Sequence, residues 1–237
     1  MDTVPQFAVV IPAAGIGKRM LADMPKQYLA LDEKTVLEHT LWRFLEHPLV
    51  SLVVVALAAH DDRFETLGLA SHPKLVKVQG GEERAHSVFN GLAQLRQMGQ
   101  EWVMVHDAAR PCLSRMDIES LYKSCIENDS AGILATPVRD TMKRGKRGEN
   151  RIDHTVDRDH LWHALTPQCA RVNNLYQAYS LAFDDQDRIL PGITDEASVL
   201  ERAGHQVLLV PGSVRNIKIT HPEDLPLAKI FIDSEES

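Results

Sequence analysis

Lys18, Arg19 and Lys26 lie close together in the sequence and accompany a run of small residues, Ala13, Ala14, Gly15 and Gly17. A loop of such residues lets backbone N–H groups approach an anion closely, and three cations add charge. The chemistry that fits is the holding and reaction of a polyphosphate. The loop follows residues 7–11, a short apolar run rich in β-branched side chains, which predicts a strand buried on both faces. The strand stops at Pro12, because proline cannot donate to a central ladder. A Gly-rich turn at the carboxyl end of a buried strand is where open α/β sheets bind nucleotides. Taken alone, a G-x-G after a strand is also simply a tight turn. The dinucleotide fingerprint fails, since Met20 stands where its third glycine belongs, and Asp23 and Pro25 keep the chain irregular until after Gln27. No GxxxxGK[ST] run exists either, which excludes a P-loop.

The elements that must position this loop alternate strand and helix. Residues 35–47 place Leu37, Leu41, Phe44 and Leu45 on one helical face, open with the capping pair Thr35 and Glu38, and close at Pro48. Residues 52–57, 75–78, 102–105 and 133–138 read as further buried strands. Helices between them turn Val88, Leu92 and Leu95, and then Ile118, Leu121 and Cys125, inward. Residues 175–183 read as a helix, and Thr194 begins another with Asp195 and Glu196 in its first turn, where acids complement the helix dipole. Residues 206–210 and 216–219 read as strands, Thr220 with Glu223 as the cap of the last helix, and 234–237 as a frayed end. Such repetition predicts an α/β fold with a doubly wound, mostly parallel sheet in one domain, residues 1–237.

At 237 residues the core needs no disulfides, and Cys112, Cys125 and Cys169, odd in number and without metal-ligand spacing, read as buried thiols in a reducing compartment. A formal charge of −7 with a locally basic loop disfavours nucleic acid and fits recognition of a small anion. The amino terminus has no basic n-region, and no run reaches membrane-spanning length, so a soluble cytoplasmic protein without membrane contact is expected.

The alternation breaks after Arg139. Residues 139–159 are polar and basic in their first half, and 142–144 and 151–155 flank a Gly-containing turn. The pattern suits a projecting β-hairpin arm, residues 139–155, as well as a solvated surface loop. A projecting hairpin buries little of its own surface, so it needs something to pack on, and a second subunit is expected to supply it.

PAAGIGKRM followed by PKQY, then GGEERAHSV, VHDAARP, PVRDTMKR, HTVDRDHLWHALTPQ, ITDEAS and NIKIT together resemble the 2-C-methyl-D-erythritol 4-phosphate cytidylyltransferases of the non-mevalonate isoprenoid pathway, from about Phe7 to Lys229. The resemblance implies a Rossmann-like nucleotidyltransferase fold. It also implies CTP as donor, a polyol phosphate as acceptor, pyrophosphate as product, and Mg²⁺ or another divalent cation. Carried over by motif, Arg19 and Lys26 would stabilise the transition state, and the backbone of 13–17 beyond Pro12 would cradle the triphosphate. Gly80, Gly81 and Ser87 would hold the cytosine and ribose, with size exclusion selecting a pyrimidine. Asp107 would serve the ribose and the metal, its other reading being a turn cap. Arg158 and Lys218 would position the polyol phosphate, with Arg110, Thr141, Thr166 and Thr194 nearby. In the family the hairpin is exchanged within a homodimer, so Thr141 would serve the partner's site. His86, His106 and His163 read as structural. The chain departs from the family at Lys18, a variable position, and at Arg215, where many members carry an acid.

A phosphomonoester has a second pKa of about 6, so such a nucleophile is already ionised at neutral pH and needs no general base. That accords with the lack of a Ser/His/Asp arrangement. The reaction needs charge neutralisation and in-line positioning of two anions, for which cations should outnumber acids. A ribitol 5-phosphate cytidylyltransferase would share this chemistry. A non-catalytic nucleotide-binding scaffold would not need Arg19, Lys26, Arg158 and Lys218 together.

Overall fold

In β1 (Phe7–Pro12), Phe7 to Ile11 are fully buried, and alternate side chains enter opposite layers. Phe7, Val9 and Ile11 join one apolar cluster, and Ala8 and Val10 join another. The computed structural model describes residues 4–15 and 24–234; Gly17, Lys18 and Arg19 lie outside the described residues. After β1 come a short hairpin of β2 (Ala30–Leu31) and β3 (Lys34–Thr35), α1 (Val36–Leu45), β4 (Val50–Leu57), β5 (Leu75–Gln79), α2 (Arg84–Gln97), β6 (Trp102–Val105) and α3 (Arg115–Asn128). The rest comprises β7 (Ala131–Pro137), β8 (Met142–Gly145), β9 (Ile152–Val156), β10 (Trp162–Arg171), α4 (Val172–Ser180), α5 (Glu196–Arg202), β11 (Val207–Pro211) and α6 (Asp224–Asp233).

Seven strands form one sheet in the order β11, β7, β10, β6, β1, β4, β5. All its pairs are parallel except those of β10, which runs antiparallel to both β6 and β7. One apolar layer packs α1 and α3 on the sheet through Leu37, Leu41, Phe44, Ile118 and Leu121. The opposite layer packs α2, α4 and α5 through Val88, Leu92, Leu175 and Val199. The doubly wound, mostly parallel architecture expected from the alternation is therefore present. The capping box of Thr35 and Glu38 is formed, with the Glu38 N–H donating to Thr35 Oγ1 at 3.2 Å. No helix among the described residues is long and apolar enough to cross a membrane. Cys112, Cys125 and Cys169 are buried and form no disulfide with one another.

The structure corrects several local expectations. Residues 216–219 form no strand: Arg110 Nη1 donates to the Asn216 carbonyl at 2.8 Å and the Ile219 N–H to the Ala109 carbonyl at 2.8 Å, so single contacts replace a ladder. The turn before α6 is closed by Asp224 rather than Glu223, its Oδ2 accepting from the Thr220 and His221 N–H groups at 2.7 and 2.8 Å. The cap of α5 is Asp195, not Thr194, because Asp195 Oδ1 is the acceptor that reaches the Ser198 N–H. The chain is not irregular up to Gln27, since Lys26–Tyr28 form a 3-10 turn directly after Pro25. No strand was expected where β10 lies. The hairpin of β8 and β9 is a separate two-stranded sheet, paired Met142 with Val156 and Lys143 with Thr155, and residues 139–155 are exposed throughout.

Candidate active site

β1 has neighbours on both sides, β4 and β6, and the strand order reverses there. The carboxyl ends of strands at such a reversal open the crevice in which α/β sheets bind ligands. The cleft found there is lined from β1 and its loop by Pro12, Ala13, Ala14 and Gly15, and from the following turn by Lys26 and Gln27. The loop after β5 adds Gly81 to Arg84 and Ser87, the end of β6 adds Asp107 to Ala109, and Lys218 closes one side.

Gln27 holds the small-residue loop in shape. Its side-chain amide donates to the Ala13 carbonyl at 2.7 Å and to the Gly15 carbonyl at 3.0 Å, so those carbonyls turn toward Gln27. Lys26 Nζ donates to the Ile219 carbonyl at 2.9 Å, which ties the turn to the NIKIT segment. A Cβ at Gly80 would stand 2.4 Å from Ala14 Cβ, and one at Gly81 would stand 2.2 Å from His86 Cβ. Glycine at 80 lets the two loops meet this closely, and glycine at 81 lets its own loop fold onto the start of α2. Ser87 Oγ accepts from the Gly81 N–H at 3.2 Å, fixing the second loop against α2.

Asp107 is 7% exposed and lies among cations. Arg84 Nε donates to Oδ1 at 3.0 Å, Lys218 Nζ approaches Oδ2 at 2.9 Å, and Arg110 Nε stands 3.5 Å from Oδ2. Burial would raise its pKa, but Arg84, Lys218 and Arg110 outweigh it and hold the carboxyl well below the usual carboxylate range. The carboxylate thus receives side-chain cations rather than a backbone N–H, which removes its reading as a turn cap. Behind it, His106 Nε2 donates to the Arg110 carbonyl at 3.0 Å, His106 Nδ1 accepts from Thr166 Oγ1 at 3.0 Å, and Thr166 Oγ1 accepts from the Asp107 N–H at 3.1 Å. Asn216 Nδ2 donates to the Thr166 carbonyl at 2.7 Å. Thr166 and Arg110 therefore stand behind the cleft as the frame of Asp107.

His106 is fully buried as a neutral imidazole, its pKa pushed down to about 4 by burial against the opposing effects of the Arg110 carbonyl and Asp107. The unfolded chain takes up this proton near pH 6.5 and the folded chain only near 4, so stability is full above about 6.5 and falls as pH drops through that window. His39 and His47, also lowered by burial, act in the same direction. The thermal midpoint is expected to decline from pH 7 to pH 4.5 in matched buffers; a flat profile would contradict the neutral buried imidazoles.

Two residues with no role legible in the sequence complete the cleft. One is Gln27; the other is Arg84, whose guanidinium joins Asp107 to the buried carboxylate of Glu196. Lys26, Lys218, Asp107, Gly81 and Ser87 are brought together as expected, with Gly80 directly behind. Arg158, Thr141 and Thr194 are not in this cleft. Arg158 and Thr141 are exposed at the base of the hairpin, where Arg158 Nη1 donates to the Arg139 carbonyl, and Thr194 lines an adjoining pocket with Arg84 and Tyr179. Arg215 turns toward α6, donating to Ser234 Oγ at 3.1 Å. His86 stacks on Phe183 with its ring centroid 4.9 Å away. Cations do not outnumber acids among the described residues lining the cleft: Lys26, Arg84 and Lys218 face Glu82, Glu83 and Asp107.

The chain matches the family described as 2-C-methyl-D-erythritol 4-phosphate cytidylyltransferase (IspD) over residues 7–234. It is 50% identical over 235 residues to the protein of that name from Vibrio parahaemolyticus, covering 99% of this chain and 98% of that protein. It is 48% identical over 242 residues to the one from Colwellia psychrerythraea, with coverage of 99% and 98%. Among solved structures, the Francisella tularensis 2-C-methyl-D-erythritol 4-phosphate cytidylyltransferase is 37% identical with a TM-score of 0.80, covering 95% of this chain and 99% of that one. A 4-diphosphocytidyl-2C-methyl-D-erythritol synthase is 35% identical with a TM-score of 0.81, covering 97% and 100%. With the match running from the first residue of β1 past the end of α6, the chain belongs to the 2-C-methyl-D-erythritol 4-phosphate cytidylyltransferase family.

Proposed function

We propose that this chain transfers the cytidylyl group of CTP to 2-C-methyl-D-erythritol 4-phosphate, giving 4-diphosphocytidyl-2-C-methyl-D-erythritol and pyrophosphate, with the acceptor phosphate attacking the α-phosphate in line. The observation that carries this reading is the meeting of the loop beyond Pro12, the Gly80 to Ser87 loop, Asp107, Lys26 and Lys218 at one cleft, in a chain that matches the family nearly end to end. The backbone of 13–17 cradles the triphosphate, Lys26 and Arg19 neutralise charge developing at the α-phosphate, and Gly80, Gly81 and Ser87 enclose cytosine and ribose. Lys218 and Arg158 position the acceptor phosphate, aided by Thr141 and Thr194, while Arg110 and Thr166 hold Asp107. The acceptor arrives ionised, so no side chain removes a proton.

A divalent cation fits this cleft in one way. Asp107 is its one buried carboxylate among the described residues, and no larger cluster of metal-ligating side chains occurs among them. Mg²⁺ is commonly held by one or two carboxylates together with substrate phosphates, and Asp107 suits that part. Such an ion would neutralise triphosphate charge. The working unit is a cytoplasmic homodimer of one cytidylyltransferase domain per chain, with the 139–155 hairpin exchanged as an arm.

Pyrophosphate release from CTP tests the reading. It is expected with methylerythritol phosphate, far more slowly with ribitol 5-phosphate, and to stop with EDTA and return with excess Mg²⁺. Equal or faster use of ribitol 5-phosphate would overturn the substrate, and undiminished activity in EDTA would overturn the metal.

A further inference from the structure

Glu196 is 1% exposed, at the first position of α5, and all its contacts of note go to two side chains. Arg84 Nη1 donates to Oε1 at 2.7 Å and Nη2 to Oε2 at 3.1 Å, and the Tyr179 hydroxyl donates to Oε1 at 2.9 Å. The remaining direction of the same guanidinium, Nε, points to Asp107 Oδ1 at 3.0 Å. A guanidinium is flat and its donors have fixed directions, so clamping one edge with a bidentate carboxylate orients the other. The fold alone does not require this pair: a buried ion pair is often no more stabilising than apolar residues of the same size. The cations on the other oxygen of Asp107 orient it less well, because the Lys218 side chain is 40% exposed and Arg110 Nε stands at 3.5 Å.

We propose that Glu196, completed by Tyr179, is a positioning residue for the nucleotide: it fixes Arg84, and Arg84 fixes the rotation of the Asp107 carboxylate that faces the bound CTP. The inference rests on the reading of this cleft as the CTP site. It gives the ITDEAS segment a second task. Thr194, just before α5, lines the neighbouring pocket, while Glu196 reaches through Arg84 into the nucleotide cleft. The two halves of the site are thereby joined across 112 positions of sequence.

Calorimetric titration with CTP and Mg²⁺, without acceptor, tests this on the wild type, Glu196→Gln, Arg84→Lys and the double variant, with thermal unfolding run alongside. Each single substitution is expected to weaken CTP binding about tenfold, the lower end of what removing an orienting partner does to a liganded site. The double variant should bind no more weakly than the weaker single, because both changes break one chain of contacts. In turnover, KM for CTP should rise while KM for the acceptor stays within about twofold. A purely structural role would lower the melting temperature and leave the CTP affinity of the folded protein unchanged, and that result overturns the proposal. If Glu196→Gln does not fold, Arg84→Lys decides, since it keeps a cation beside Glu196 and loses the planar fork; unchanged CTP affinity in that variant overturns the proposal. A wild type that does not bind CTP would instead overturn the function proposed above.

Discussion

Lys26→Ala is expected to lower kcat by roughly two or more orders of magnitude, the cost of removing one donor that meets charge formed mainly in the transition state. Lys26 follows Pro25 in a 3-10 turn, and its ammonium is placed by the Ile219 carbonyl at 2.9 Å, so the cation stands at the cleft before any ligand arrives. Preorganisation of that kind spares reorganisation during the reaction. The effect should fall on kcat more than on KM for CTP, because the triphosphate retains the backbone of the Gly15 loop. Gln27, which holds that loop, is a different side chain, so the loop should survive the substitution. A fall of less than about tenfold in kcat, with an unchanged melting temperature, would remove Lys26 from the chemistry.

Replacing residues 143–152 with a short Gly/Ser linker is expected to abolish both dimerisation and turnover while the α/β core stays folded. β8 and β9 pair with each other at four positions and, among the described residues, join no other strand, so the hairpin has little of its own to stabilise it. Ile152 is 60% exposed and Met142 36% exposed, so the arm leaves apolar surface, chiefly that of Ile152, open to a partner. Arg158 and Thr141 stand at its base, outside the cleft that holds Lys26 and Asp107. An arm that crosses to a second copy would bring acceptor-binding residues to the partner's cleft. Light scattering read beside the pyrophosphate assay separates the outcomes: a folded monomer with full activity would return the segment to a surface loop, whose replacement costs little.

The strands and helices legible in the sequence are those whose burial leaves a local pattern. Residues 7–11 and 52–57 are continuous apolar runs rich in β-branched side chains because both faces are covered, and α1 carries its own capping pair. β10 left no such pattern: its first half is largely exposed, its second half buried, and the register shifts between Ala164 and Gln168, around Pro167. Residues 216–219 misled in the opposite sense, since their apolar and polar side chains alternate as in a strand while their backbone groups bond singly to Ala109 and Arg110. In the cleft, Lys26, Lys218 and Asp107 were legible as charged residues inside motifs. Arg84 and Glu196 were not, because the link between them spans distant segments, and an acid in the first turn of a helix already has a sufficient local reason to be there. Gln27 sits in the same motif as Lys26, and a polar amide two residues after a proline carries no signal that it will reach back to Ala13 and Gly15.

On this reading the protein supplies charge and position, and neither a covalent nucleophile nor a base. The stereochemical course at the α-phosphorus tests it most directly. With CTP bearing sulfur at one α-oxygen in a single configuration, one in-line displacement by the acceptor phosphate gives a product inverted at phosphorus. Two successive displacements, through a cytidylyl group carried on a side chain, give retention. Inversion is the expected result, and retention would show a covalent intermediate that this site has no nucleophile assigned to form.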